Sequence, residues 1–110
     1  MTRIRLLAAA IVIGACSPST EAGPPVAVDP AALYSQMCAR CHGLDGHGDP
    51  LLKAQMQIRD FSDPELRRVK NQEMEQVIMA GRKQMPGFGS MLSLPKIQTL
   101  TGYVRRLGAK

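Results

Sequence analysis

The feature that most constrains this chain is the pentapeptide Cys38-Ala39-Arg40-Cys41-His42. It places two thiols three positions apart and an imidazole directly after the second thiol. Cys and His are scarce, with three and two in 110 residues, so their concentration here indicates a function. Two thiols at this spacing can form thioethers with neighbouring vinyl groups of a porphyrin while the imidazole turns beneath its iron. The pentapeptide therefore predicts one covalently bound haem c, attached through Cys38 and Cys41 and ligated by His42.

Two other uses of a Cys-x-x-Cys pair fit the sequence less well. A structural zinc site takes four ligands, and the chain has only one further Cys and one further His. A thiol redox pair belongs in a strand-rich βαβ unit, and the flanking sequence shows almost no strand pattern. His47 is a weak candidate for a second axial ligand, because it follows His42 by only five residues.

The first 15 residues have the layout of an export signal. Two arginines precede an apolar run at residues 6–13, which is too short to span a membrane. The run leads into Ile-Gly-Ala-Cys at residues 13–16, which resembles the lipobox of bacterial lipoproteins. That resemblance implies acylation of Cys16 and a protein anchored on the periplasmic face of a bacterial membrane. The alternative is an ordinary signal peptide with an unpaired thiol near its cleavage site, which leaves the protein soluble in the periplasm.

Residues 16–30 are predicted to be a flexible tether between Cys16 and a haem domain at residues 31–110. The tether contains four prolines and little bulky apolar material, a composition typical of disorder. The formal net charge of +5 includes the two arginines of the signal, so the mature chain is only mildly basic. Its basic residues are scattered and lack an aromatic platform, which gives no indication of nucleic-acid binding.

The domain is predicted to be all-α, with four helices marked by capping residues and by apolar spacings of three and four. The predicted caps are Asp29, Ser62 with a Ser-x-x-Glu box, Asn71 and Ser93. The last helix has the clearest apolar stripe, at residues 97, 100, 104 and 107. Three glycines at residues 43–48, followed by residues 51–61 without a clear period, predict irregular chain between the first two helices.

A second informative stretch is the predicted loop at residues 82–89, which contains Met85 directly before Pro86. Proline restricts the preceding residue to extended backbone, so the sulfur can be held at a fixed point. Most methionines are adaptable core residues, and Met91 is the competing candidate nearby. We expect Met85 to be the sixth iron ligand. Arg59 is either a partner for a haem propionate or a solvated surface residue.

From Tyr34 to Leu107 the sequence resembles a class I monohaem cytochrome c. The resemblance rests on Tyr-x-x-x-Cys-x-x-Cys-His-Gly, then Asp-Phe, then Gly-x-x-x-Met-Pro-x-Phe, then Leu-x-x-Tyr-Val-Arg-x-Leu. It implies that the first and last helices cross beside the haem and that His42 and Met85 are the axial ligands. The lipobox, the tether and Lys96, where a capping Glu would stand, depart from the pattern of the family.

The resemblance implies one-electron transfer, with iron cycling between Fe(II) and Fe(III) in a periplasmic respiratory or oxidative chain. Its partners would be redox proteins, without a small-molecule substrate, so the protein is not expected to be an enzyme. Two alternatives stay open: the electron-accepting subunit of a periplasmic dehydrogenase, or a gas or peroxide sensor if Met85 dissociates. The chain has no Trp, two Tyr and two Phe, so the haem-free protein is expected to be largely unfolded.

Overall fold

The computed structural model describes residue 14 and residues 27–110. Its helices in chain order are α1 (Pro30–Met37), α2 (Ala39–His42), α3 (Lys53–Met56), α4 (Pro64–Arg68), α5 (Asn71–Ala80) and α6 (Leu94–Gly108). Over these residues there is no strand, and one isolated backbone bridge joins Arg82 to Met85. None of the helices just named is long and apolar enough to cross a membrane. The predicted all-α fold is confirmed.

The predicted signal peptide lies outside the described residues, apart from Gly14, and so does Cys16. Residues 27–29, at the end of the predicted tether, are irregular, and α1 begins at residue 30. The boundaries after residues 15 and 30 therefore stay predictions.

The predicted cap of α1 is confirmed, and the predicted cap of α4 is not. The Asp29 carboxylate accepts a hydrogen bond from the Ala31 amide at 3.0 Å, as expected for the start of α1. At α4 the cap is Asp63, whose carboxylate accepts from the Glu65 amide at 2.9 Å. The predicted Ser62 box is wrong, because the Ser62 hydroxyl donates to the Asp60 carboxylate at 2.6 Å instead.

The caps of α5 and α6, and the segment at residues 51–61, also differ from the prediction. The N-cap of α5 is Lys70, while Asn71 is the first helical residue and its side-chain oxygen accepts from Arg105 at 3.1 Å. Ser93 is the N-cap of α6, as predicted, but its side chain makes no capping bond. Within residues 51–61, predicted to be irregular, the chain forms the single turn α3. The Asp49 carboxylate favours this turn by accepting from the amides of residues 51 and 52.

The core is built around α6, which packs against α1 and α5. The predicted stripe is confirmed, since Ile97, Leu100, Val104 and Leu107 are all buried. Tyr34 of α1 is fully buried against them, and its ring lies 5.1 Å from that of Tyr103. Burying one large apolar side chain contributes about 1.5–3 kcal/mol. The stripe on α6 is thus the main apolar surface that holds the domain together.

Arg105 joins α6 to the end of α4 in a way that the sequence did not indicate. Its Nη1 donates to the carbonyls of Leu66 and Arg67 at 3.3 and 3.0 Å, and its Nη2 donates to the carbonyl of Val69. Its Nε donates to the side chain of Asn71. The last carbonyls of a helix have no partner within it, so Arg105 acts as a C-terminal cap for a different helix.

We expect Arg105→Met to lower the free energy of unfolding of the haem-loaded protein by about 2–3 kcal/mol, because hydrogen bonds from a charged donor are lost. Arg106→Met is the matched control, since Arg106 is exposed and lies over the Tyr103 ring at 5.6 Å. The Arg106→Met substitution should lower the free energy of unfolding by about 1 kcal/mol or less. Denaturant unfolding measures both, and equal losses would contradict the role given to Arg105.

Candidate haem-binding site

The two cysteines and the imidazole lie together on α2 and the residue before it. The amides of Cys41 and His42 both donate to the Cys38 carbonyl, at 3.1 and 2.9 Å. The helix ends at Gly43, whose carbonyl accepts a hydrogen bond from the Tyr34 hydroxyl at 2.7 Å. Burial raises the pKa of Tyr34, so this hydroxyl stays protonated and remains a donor. The predicted attachment turn is therefore fixed to α1.

Burial shifts the pKa values of the Cys38 thiol and the His42 imidazole. Cys38 and Cys41 are partly buried and form no disulfide. Burial, followed by the neighbouring Cys41, raises the pKa of the Cys38 thiol to about 11. Burial also lowers the pKa of His42, so its ring is neutral near pH 7. A neutral imidazole has the free lone pair that a metal ligand needs.

One nitrogen of His42 has an unusual environment. Its Nδ1 atom is buried and has no hydrogen-bond partner among the residues that the structure describes. The ring of Phe61 stacks on the imidazole, with 4.8 Å between centroids and 24° between planes. The sequence pattern did not single out Phe61 as a contact of His42.

The glycine loop after α2 folds back on the attachment turn. The amides of Gly48 and Asp49 donate to the carbonyls of His42 and Cys41, both at 2.8 Å. Gly46 has a φ of 81°, and a Cβ there would lie 2.7 Å from the Phe61 ring. A side chain at residue 46 would therefore displace the ring that stacks on His42.

His47 and Arg59 are both exposed, and each contacts a carboxylate. The Nδ1 atom of His47 lies 2.9 Å from both oxygens of the Asp60 carboxylate. Hydrogen bonds from Ser62, followed by the His47 contact, hold the pKa of Asp60 well below its usual range. Arg59 contacts the Asp63 carboxylate at 3.1 Å through its Nη2 atom. The position of Arg59 agrees with the surface interpretation of this residue.

The loop that contains Met85 is held by backbone hydrogen bonds to itself and to α5. Arg82 and Met85 exchange two of them, both at 3.0 Å. Beyond Met85, the amides of Phe88 and Gly89 donate to carbonyls of α5 at 2.9 and 3.0 Å. These hydrogen bonds fix the backbone of the loop and therefore the position of the Met85 Cα atom.

The two candidate methionines differ in exposure. Met85 is partly buried and packs against the core, as does Cys38 of the attachment turn. Met91 is 60% exposed. Of the two, only Met85 has a side chain directed into the packed part of the domain.

A cleft of about 160 Å³ separates the Met85 loop from the end of α3. Its lining residues are Gln55, Met56, Gln57, Lys83 and Gln84. The Nζ atom of Lys83 donates across it to the Gln57 side chain at 3.5 Å. Both residues have positive φ, at 54° and 52°, a conformation that costs an L-residue about 1 kcal/mol or more. No sequence spacing indicated that these two segments would face each other.

The donor set fits a haem c better than a bare metal ion. In the described part of the chain, no three His, Cys, Asp or Glu side chains are grouped so that they alone could hold an ion. The attachment turn instead offers two free thiols and one neutral imidazole. Two thiols for the vinyl groups and one nitrogen for the iron are what covalent haem requires from such a turn.

An all-α domain with this turn and a methionine loop is a c-type cytochrome. Comparison with known families agrees: the model described as "Cytochrome C oxidase, cbb3-type, subunit III" matches residues 25–104, and the chain belongs to this cytochrome c family. Membership implies a covalently bound haem c with iron, electron transfer by that haem, and redox proteins as partners. Carriers of this kind are typically not enzymes.

Two solved structures are similar to this chain. The KustC0563 c-type cytochrome is 28% identical, with a TM-score of 0.67, and the match covers 73% of this chain and 98% of that one. A tyrosine-to-phenylalanine mutant of Kustc0563 is 27% identical, again with a TM-score of 0.67, over 73% of this chain and 99% of the other. No curated protein matches the chain.

Proposed function

We propose that this protein is a class I electron carrier, anchored through acylated Cys16 at the periplasmic face of a bacterial membrane. Cys38 and Cys41 form the thioethers, and His42 and Met85 are the axial ligands. The observation that carries the ligand assignment is the attachment turn itself, where two free thiols precede a partly buried, neutral imidazole. The burial of Met85, against the exposure of Met91, supports the second ligand.

When bound, the haem supplies a one-electron couple between Fe(II) and Fe(III). The thioether of Met85 is a soft ligand, which favours the reduced state. The closed backbone around Met85 and the fixed attachment turn hold both ligands in place, so little rearranges when the charge changes. A Met85 sulfur bound to the iron would leave no open coordination position for a gas or peroxide, which would favour a carrier over a sensor.

Partner proteins are proposed to dock beside the attachment turn. Leu51 and Leu44 are the most exposed large apolar side chains among the described residues, at 81% and 72%. Leu44 lies two residues after His42. The Leu51 amide donates to the Asp49 carboxylate, and the Asp49 amide donates to the Cys41 carbonyl, which keeps Leu51 near the attachment turn. Exposed apolar side chains near this turn suit the brief encounters of redox proteins, with interfaces below about 1,200 Å².

We expect Leu51→Asp to slow electron self-exchange between the oxidised and reduced protein about tenfold, which corresponds to about 1.4 kcal/mol of lost encounter stability. NMR line broadening of mixed redox states measures this rate without a second protein. Leu94→Asp is the control, because Leu94 is 49% exposed at the start of α6 and gives the same charge change. If both variants slow exchange equally, general charge repulsion explains the result and the docking surface is wrong.

The anchor is tested by mass spectrometry of the protein extracted from membranes. We expect one porphyrin adduct and acylation at a mature N-terminus that begins with Cys16. Cys16→Ser should move the haem-loaded protein into the soluble periplasmic fraction. Recovery of unacylated wild-type protein in that fraction would remove the anchor from the proposal and leave the carrier function intact.

A further inference from the structure

A histidine that ligates a metal is normally oriented by a hydrogen bond from its other ring nitrogen. The usual acceptor is a carboxylate, a backbone carbonyl or a water molecule, and this bond also increases the basicity of the ligand. The structure departs from this pattern at His42. Its Nδ1 atom is buried, and the described residues provide no acceptor for it. Among the described residues, packing is therefore what orients this ring.

The Phe61 side chain is in a position to orient the His42 ring. The ring lies nearly parallel to the imidazole, at 24° and 4.8 Å between centroids. Stacking at this distance resists tilting of the smaller ring, because any tilt reduces the contact area or brings atoms into overlap.

Phe61 is itself held on several sides. Its amide donates to the Gly46 carbonyl at 2.9 Å. The Tyr34 ring meets the Phe61 ring edge-on, with 6.4 Å between centroids. The backbone of Gly108 packs so closely against Phe61 that a Cβ at residue 108 would overlap the Phe61 carbonyl. These contacts from the glycine loop, α1 and α6 fix the ring that contacts His42.

We propose that Phe61 is the positioning residue for His42, and that it raises the reduction potential because its ring, packed against the face of the imidazole, helps to keep water away from Nδ1. An imidazole without a hydrogen bond from Nδ1 is a weaker electron donor, so it stabilises oxidised iron less. This inference rests on the proposed role of His42 as an iron ligand.

A cavity beside Phe61 would give water access to His42 if the Phe61 ring were removed. It measures about 240 Å³ and is lined by Phe61 together with Met74, Val104 and Arg105, among others. Because Phe61 contacts both this cavity and His42, a smaller side chain would connect the two. Water from the cavity would then reach Nδ1 and accept a hydrogen bond from its N–H group.

The test uses the haem-loaded Phe61→Leu variant, which keeps an apolar side chain but removes the flat ring. We expect its midpoint potential to fall and the pattern of haem-methyl resonances in the oxidised protein to change, because that pattern reports the plane of the axial imidazole. Phe61→Tyr keeps the ring, so its midpoint potential and haem-methyl pattern should be close to those of the wild-type protein. Tyr103→Leu is the matched control, since it removes an aromatic side chain that packs on Tyr34.

A measurement on the wild-type protein keeps the proposal testable if Phe61→Leu does not mature. In the reduced, ¹⁵N-labelled protein the Nδ1 proton of His42 should resonate where an imidazole N–H without a strong hydrogen bond does. A strongly hydrogen-bonded proton would overturn the proposal. So would an unchanged potential and methyl pattern in Phe61→Leu, or equal changes in Tyr103→Leu. Absence of haem from the wild-type protein would overturn the proposed function as well, which separates the two failures.

Discussion

The variant Cys38→Ala/Cys41→Ala is expected to carry no covalent haem and to lose its cooperative unfolding transition. Its remaining core is small, because the only fully buried large side chains among the described residues are Tyr34, Ile97, Leu100 and Thr101. The hydroxyl of Thr101 has no hydrogen-bond partner in the described part of the chain, so it adds little stability. The net free energy of unfolding of a protein is only about 0.05–0.15 kcal/mol per residue. We therefore expect that a domain of this size does not stay folded once it has lost its haem.

Thermal melts followed by circular dichroism, together with the dispersion of NMR resonances, measure this loss. Cys16→Ser is the control, because it removes a thiol and leaves the attachment turn intact. A haem-free variant with a sharp transition and dispersed resonances would show that the polypeptide holds the fold by itself. The dependence of the fold on haem would then be wrong, whatever the ligands are.

The variant Met85→Leu is expected to lose the weak far-red absorption band of thioether-ligated oxidised iron and to have a much lower midpoint potential. Axial ligands set haem potentials over a range of about 0.8 V, and loss of a soft sulfur ligand removes a preference for the reduced state. Leu has nearly the volume and shape of Met, so the packing of the loop should change little.

The same substitution at Met91 is the matched control, because Met91 is 60% exposed in the segment that follows the Met85 loop. Met91→Leu should keep both the band and the potential. Absorption spectroscopy and redox titration of the two purified variants separate the candidates. Loss of the band in Met91→Leu, with the band retained in Met85→Leu, would exchange the roles of the two residues.

Short-range signals in the sequence predicted most of the fold. Asp29 before Pro30 marked the start of α1, and the spacing of Ile97, Leu100 and Leu107 marked the buried face of α6. Each of these signals depends on neighbours within one or two helical turns, where geometry follows from the backbone alone. The failures at Ser62 and Asn71 are also local. There, a competing hydrogen bond took the side chain away from the helix end.

Contacts between distant segments could not be predicted in the same way. Arg105 reaches carbonyls more than 30 residues earlier in the chain, and its charge alone indicated only a favourable place near the end of its own helix. Phe61 stacks on a ring 19 residues earlier, and only its place in the Asp-Phe dipeptide marked it. Such partners depend on how α6 and the glycine loop pack, and spacing within one segment does not encode that packing.

The position of Arg105 in the final turns of α6 affects the order in which the domain can assemble. The carbonyls of Leu66, Arg67 and Val69 gain their guanidinium partner only when the final turns of the last helix are in place. We therefore expect deletion of the last turn of α6, from Arg105 onward, to loosen the segment between α4 and α5 as well as α6 itself.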